Sequence, residues 1–108
     1  MTPTLEELRP EIMRAIDLPP KEVFLGFGDD YPECLCMVVL RDVGPARMTK
    51  VVRHIRNRVN AGQELRICAN IVEGKHKAMF NGLDFEAAWK LSWDVNCATV
   101  RWEKDDES

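Results

Sequence analysis

Two cysteines stand one residue apart in the stretch "PECLCMVVL", residues 32–40. A thiol pair of this kind has three fates open to it: a disulfide, a metal site, or plain apolar burial. On a strand, Cys34 and Cys36 point the same way, with Cα atoms about 6.6 Å apart, twice the strand rise. Their Cβ atoms run parallel at a similar spacing, whereas a disulfide wants Cβ atoms about 3.8 Å apart. A regular strand therefore leaves them unbridged. Zinc sites gather thiolates through turns, usually at C-x₂₋₄-C spacing, and no C-x-x-C occurs in the chain. Cys68 and Cys97 complete the four cysteines and are isolated on other expected strands. All four read as small buried hydrophobes. No metal ligand and no cofactor is assigned.

The other reactive side chains are equally sparse. His54 falls on the polar side of an expected helix and His76 in an expected turn, neither with a local partner that marks a general base. The only serines, Ser92 and Ser108, lie in no nucleophile-elbow pattern. "GFGDDYPE", residues 26–33, has two glycines, but a phosphate-binding loop needs more glycines followed by a helix N-terminus. Asp29, Asp30 and Glu33 lack the ligand count and spacing of a calcium loop. The stretch reads as a solvated turn. Its alternative is the mouth of a small-molecule pocket, with Asp30 and Tyr31 as contacts. No catalytic residue is assigned, and the balance leans away from an enzyme.

These residues hang on a regular succession of elements. Thr4 and Glu7 form a capping box, and Leu5, Leu8, Ile12 and Ile16 make one helical face over residues 4–17. The apolar face continues across Pro10, which predicts one kinked helix rather than two pieces. "EVFLGFG" (22–28) predicts a strand. "CLCMVVLRDV" (34–43) is apolar on both alternating faces, which predicts a central strand covered on both sides. Pro45 suits the first position of a helix over 45–61, where Met48, Val51, Val52, Ile55 and Val59 form the apolar stripe and Gly62 the stop.

In "QELRICANIVEGKHKAMFNG" the pattern predicts a strand, a turn near Gly74 and a short second strand. "LDFEAAWKLSWD" predicts a third helix capped by Asp84, with Phe85, Trp89 and Trp93 on one face. "NCATVRW" is a final strand. The expected order is α-β-β-α-β-β-α-β, one small α+β domain over residues 1–102. Its sheet is expected to be mostly antiparallel, of about four or five strands with helices packed on it. An acidic tail, 103–108, follows.

Charge is unevenly spread. The net charge of −3 divides into +5 over residues 41–58 and −8 over the rest. On a helical wheel Arg47, Lys50, His54 and Arg58 line up beside the apolar stripe, with Arg53 further round. Such a ridge attracts phosphates or an acidic partner surface, or else merely solvates the helix. Residues 41–62 hold no aromatic side chain for base stacking, so nucleic-acid binding there would be backbone-directed and weakly sequence-selective. Trp89 reads as core. Trp93 and Trp102, late in the fold, are candidate contacts for a partner or ligand.

The N-terminus is acidic and no apolar segment follows it, which matches neither a signal peptide nor a membrane span. The expected location is the cytoplasm, where thiols stay reduced. Three functions stay open. The first is a non-enzymatic binding protein acting on a protein partner or on a second copy of itself. The second is a nucleic-acid binder through the helix at 45–61. The third is a small-molecule-binding domain or small enzyme with a pocket near residues 26–33.

Overall fold

The computed structural model describes residues 4–28, 34–58, 66–95 and 97–102, the last of these by backbone and strand pairing. Its elements are α1 (Leu5–Ile16), a 3₁₀ turn (Pro20–Glu22), β1 (Val23–Phe27), β2 (Cys34–Val39), α2 (Pro45–Arg58), β3 (Arg66–Val72), a second 3₁₀ segment (Gly74–Phe80), α3 (Phe85–Asp94) and β4 (Cys97–Trp102).

The helix ends are built as their sequences dictate. Thr4 Oγ1 accepts from the Glu7 N–H at 3.2 Å, and Glu7 Oε1 accepts from the Thr4 N–H at 2.8 Å. α1 runs unbroken through Pro10 and stops at Asp17, which takes the left-handed conformation (φ 59°) that aspartate tolerates. Gly44, at φ +90°, turns the chain from β2 into α2. Asp84 Oδ1 accepts from the Ala87 N–H at 2.9 Å and caps α3.

The four strands form one sheet in the order β1-β2-β3-β4. β1 and β2 pair antiparallel, with Val23 opposite Val39, and β3 and β4 pair antiparallel, with Val72 opposite Cys97. The central pair, β2 and β3, is parallel, with Cys36 opposite Cys68. The sheet is therefore mixed: two of its three pairings are antiparallel, and the central one is parallel because α2 carries the chain back across the sheet before β3 begins.

One expected strand is absent. Residues 74–80 form a 3₁₀ segment, not the second strand of a hairpin. The segment has no apolar alternation to bury; Phe80 alone is fully enclosed, and Met79 points outward. The end of α2 near Val59 and the stop at Gly62 lie outside the described residues.

Each face of the sheet has its own cover. α1 and α2 lie over the face presented by Val23, Leu25, Leu35, Met37, Val39, Ile67 and Ala69, and bury Leu8, Ile12, Ile16, Met48, Val51, Val52 and Ile55 against it. α3 and the second 3₁₀ segment cover the opposite face, where Val38, Leu40, Val72, Phe80 and Ala88 are enclosed. β2 is thus central and covered on both sides, which is why its residues are apolar without alternation.

Candidate functional site

The basic ridge of α2 is turned largely inward, onto α1. Arg58 Nε donates to both carboxylate oxygens of Glu11, at 2.8 and 3.0 Å. His54 Nε2 lies 2.7 Å from Glu11 Oε1. These two contacts, Arg58 first, hold the Glu11 carboxyl below its ordinary range and raise Arg58 in return. Arg47 Nη1 donates to the Ile16 carbonyl at 3.3 Å, satisfying one of the carbonyls left open at the end of α1. Three of the five ridge residues therefore clamp two helices together. Lys50 and Arg53 remain exposed, with no ion pair among the described residues.

A second charge cluster was not foreseen. The side chain of Glu22 is only 1% exposed, and its Oε2 accepts from Arg41 Nη2 at 3.1 Å and from Lys77. The bond from Lys77 is the main cause of its lowered pKa. This carboxylate ties the 3₁₀ segment to the end of the β1–β2 pair. In sequence Glu22 looks like an ordinary strand-edge acid. Only the partners brought from residues 41 and 77 give it a role.

The α3 face carries the remaining candidates. Gly26 lets the Phe85 ring lie directly on β1: a Cβ there would fall 2.3–2.7 Å from three ring atoms of Phe85. Phe85 stacks on Trp89 (centroids 5.9 Å apart, 27° between planes), and Trp89 meets Trp93 edge to face at 6.0 Å and 89°. The three rings form a ladder from the sheet to the surface, where Trp93 is 52% exposed. Beside the ladder, fully buried Asn70 donates to Ser92 Oγ at 2.7 Å, and Ser92 donates to the Trp89 carbonyl at 2.6 Å.

The thiols share this face. Cys34, Cys36 and Cys68 form no disulfide; Cys34 is partly exposed and the other two are buried. Burial pushes the Cys36 thiol up to about 12, with Cys34 and then Cys68 adding to the effect. Among the described residues no three or more His, Cys, Asp or Glu side chains are placed to share a metal ion.

Asp30 and Tyr31 lie outside the described residues, and so does most of the 26–33 loop expected to border a pocket. Trp102 is placed by backbone alone, opposite Ile67. No described helix is long and apolar enough to cross a membrane.

A small mixed sheet, with two helices on one face and an aromatic ladder under one helix on the other, is the arrangement these observations define. Compared with protein-family models, with curated proteins and with solved structures, the chain matches none.

Proposed function

We propose that the chain is a non-enzymatic interaction module that meets a protein partner, or a second copy of itself, through the α3 side, with Trp93 as the anchor. One observation carries this reading. A large apolar ring stands more than half exposed while its other edge is held by Trp89, which is itself stacked on Phe85. A tryptophan held in place before contact loses little freedom on binding, and interface energy concentrates in such residues. Light scattering on the eluting protein over a wide concentration range tests self-association. A concentration-dependent dimer that Trp93→Ala dissociates, with the fold intact, supports the reading. A strict monomer at high concentration removes the homodimer. A partner complex indifferent to Trp93→Asp removes the surface.

Phosphate binding through α2 is the second reading, and the exposure of Lys50 and Arg53 favours it. It now rests on fewer cations than the ridge contains. A titration with labelled DNA and RNA at low and near-physiological salt decides it. Binding that falls steeply with salt and disappears in Lys50→Glu/Arg53→Glu supports it; no binding at low salt rejects it.

A further inference from the structure

Among the described residues, two side chains tie the 3₁₀ segment Gly74–Phe80 to the rest of the fold. Phe80 is fully buried, and its ring stands 6.2 Å from that of Phe24, centroid to centroid. Lys77 donates to Glu22. The other polar contacts of the segment are local. The N–H groups of His76, Asn81 and Leu83 donate to the carbonyls of Glu73, Ala78 and Phe80, and Lys75 pairs with Glu73. No described strand pairs with the segment, and no side chain caps its start. Glycines stand at both ends: Gly74 opens it, and Gly82, at φ +77°, turns the chain toward α3. A Cβ at either glycine would meet no atom within 4 Å, so both ends stand clear of packed neighbours. Few buried contacts and locally closed bonds mark a segment of low local stability.

The carboxylate beneath the segment is only half satisfied. Glu22 Oε2 takes both cations, Arg41 and Lys77, while the buried Oε1 has no partner among the described residues. A buried charge with unmet acceptor capacity costs stability in the closed state, and such an atom in a folded chain calls for a reason. Opening of the segment supplies one, because Lys77 leaves with it and water reaches Glu22. Two effects of opposite sign therefore act on the same few residues. Burial of Phe80 beside Phe24, within the cluster of Val38, Leu40 and Val72, holds the segment closed. Hydration of Glu22 favours opening, and Lys77 sets the balance. Without its charge, Glu22 is left buried against Arg41 alone, whose own side chain is more than half exposed.

We propose that residues 74–82 are a latched strap, a unit that opens between Gly74 and Gly82 while the sheet and the three helices stay folded, withdrawing Phe80 and admitting water to Glu22. Neutralising the Lys77 amine, by substitution or by acylation, releases the latch. The test is native-state hydrogen exchange on the free, full chain at increasing sub-denaturing urea, so the result is independent of any partner at Trp93. In the wild type the strap amides should share one opening equilibrium, weakly dependent on urea and more populated than the opening of β2 and β3. Lys77→Met should speed strap exchange at least about tenfold and leave β2 and β3 unchanged. Glu22→Met/Lys77→Met removes the buried charge as well, and should return strap exchange to the wild-type rate or slower. Circular dichroism establishes that each variant is folded, and the wild-type measurement needs no variant. Strap amides that exchange only together with β2 and β3 overturn the proposal, as do strap amides with unrelated opening equilibria. So does a Lys77→Met chain whose strap exchanges no faster, or a double variant whose strap stays as open as that of Lys77→Met.

Discussion

Replacing Gly26 by alanine sets two effects of opposite sign against each other. Alanine in a strand restricts the unfolded chain, and that alone stabilises by about 0.4–1 kcal/mol. The new Cβ, however, would fall 2.3–2.7 Å from Phe85 Cδ2, Cε2 and Cγ. Cγ lies at the root of the ring, so a small swing of the ring tip gives no relief; the whole side chain must leave its place. Overpacking of this kind costs about 1–3 kcal/mol, and moving Phe85 also forfeits part of a stacked aromatic pair worth about 0.5–1.5 kcal/mol. Phe85 is only half-buried, which holds the cost to the lower part of that range. The expected net loss is about 1–2 kcal/mol, or a fall in Tm of roughly 4–9 °C for a chain of this length. The assay is thermal unfolding of Gly26→Ala, Phe85→Ala and the double variant. With Phe85 truncated the clash is gone, so Gly26→Ala should then be neutral or stabilising by about 0.4–1 kcal/mol. A rise in Tm in the wild-type background refutes the reasoning, as does an equal loss in both backgrounds.

Three further predictions test the clamp, the buried polar pair and the cap of α3. The Glu11 carboxyl is lowered from an ordinary value of 4.5 by Arg58 and His54, so its contribution is full above that pH and is lost as pH falls through the lowered native value. Urea midpoints of wild type and Glu11→Gln should therefore differ at neutral pH and converge in acid, and a constant gap across the acid range would rule out the linkage. Ser92→Ala removes the acceptor of the Asn70 amide inside the fold and should cost about 1–3 kcal/mol, read as a lower urea midpoint at unchanged slope. Asp84→Ala removes the cap of α3 and should cost about 0.5–2 kcal/mol, with a loss of near-ultraviolet circular dichroism from the aromatic ladder; an unchanged aromatic signal would show that the ladder does not depend on the cap.

Local signals were legible where a few neighbouring residues decide the outcome. The capping box at Thr4 and Glu7, the Asp84 cap and the Phe85–Trp89–Trp93 spacing all appear as their sequences imply. So does the central place of the strand that is apolar on both faces. What depends on register or on distant partners was not legible. The charge excess of residues 41–58 is plain in the sequence, but nothing local says that Glu11 will meet His54 and Arg58 across two helices. The only hint is that Glu11 borders the apolar face of α1, as His54 and Arg58 border that of α2. The hydrogen bond that the Cys36 thiol donates to the Cys34 sulfur was missed for a related reason: strand geometry fixes Cβ positions, whereas sulfur positions follow from side-chain rotation. The strand expected near residue 78 failed because Gly74 and two lysines outweigh a short apolar run when only Phe80 finds a place in the core.

The two faces of the sheet are built for different ends. Among the described residues the α1/α2 face encloses an almost wholly aliphatic core, and its charged rim is spent on holding the two helices together. On that side Lys50 and Arg53 are the ridge cations left exposed. The α3 face encloses far fewer aliphatic side chains and accommodates what a core built only for stability would exclude: an amide–hydroxyl pair, two buried thiols, a buried carboxylate and a tryptophan ladder that opens to the surface. Buried polar groups cost stability unless each is satisfied, and departures from a uniform apolar core gather where a protein does its work. The exposed ring of Trp93 belongs to this same face, so the partner contact proposed for it would fall on the thinner of the two cores. Contact made there would be felt by the sheet directly, through Phe85 resting on Gly26, and not through the α1/α2 clamp on the far side.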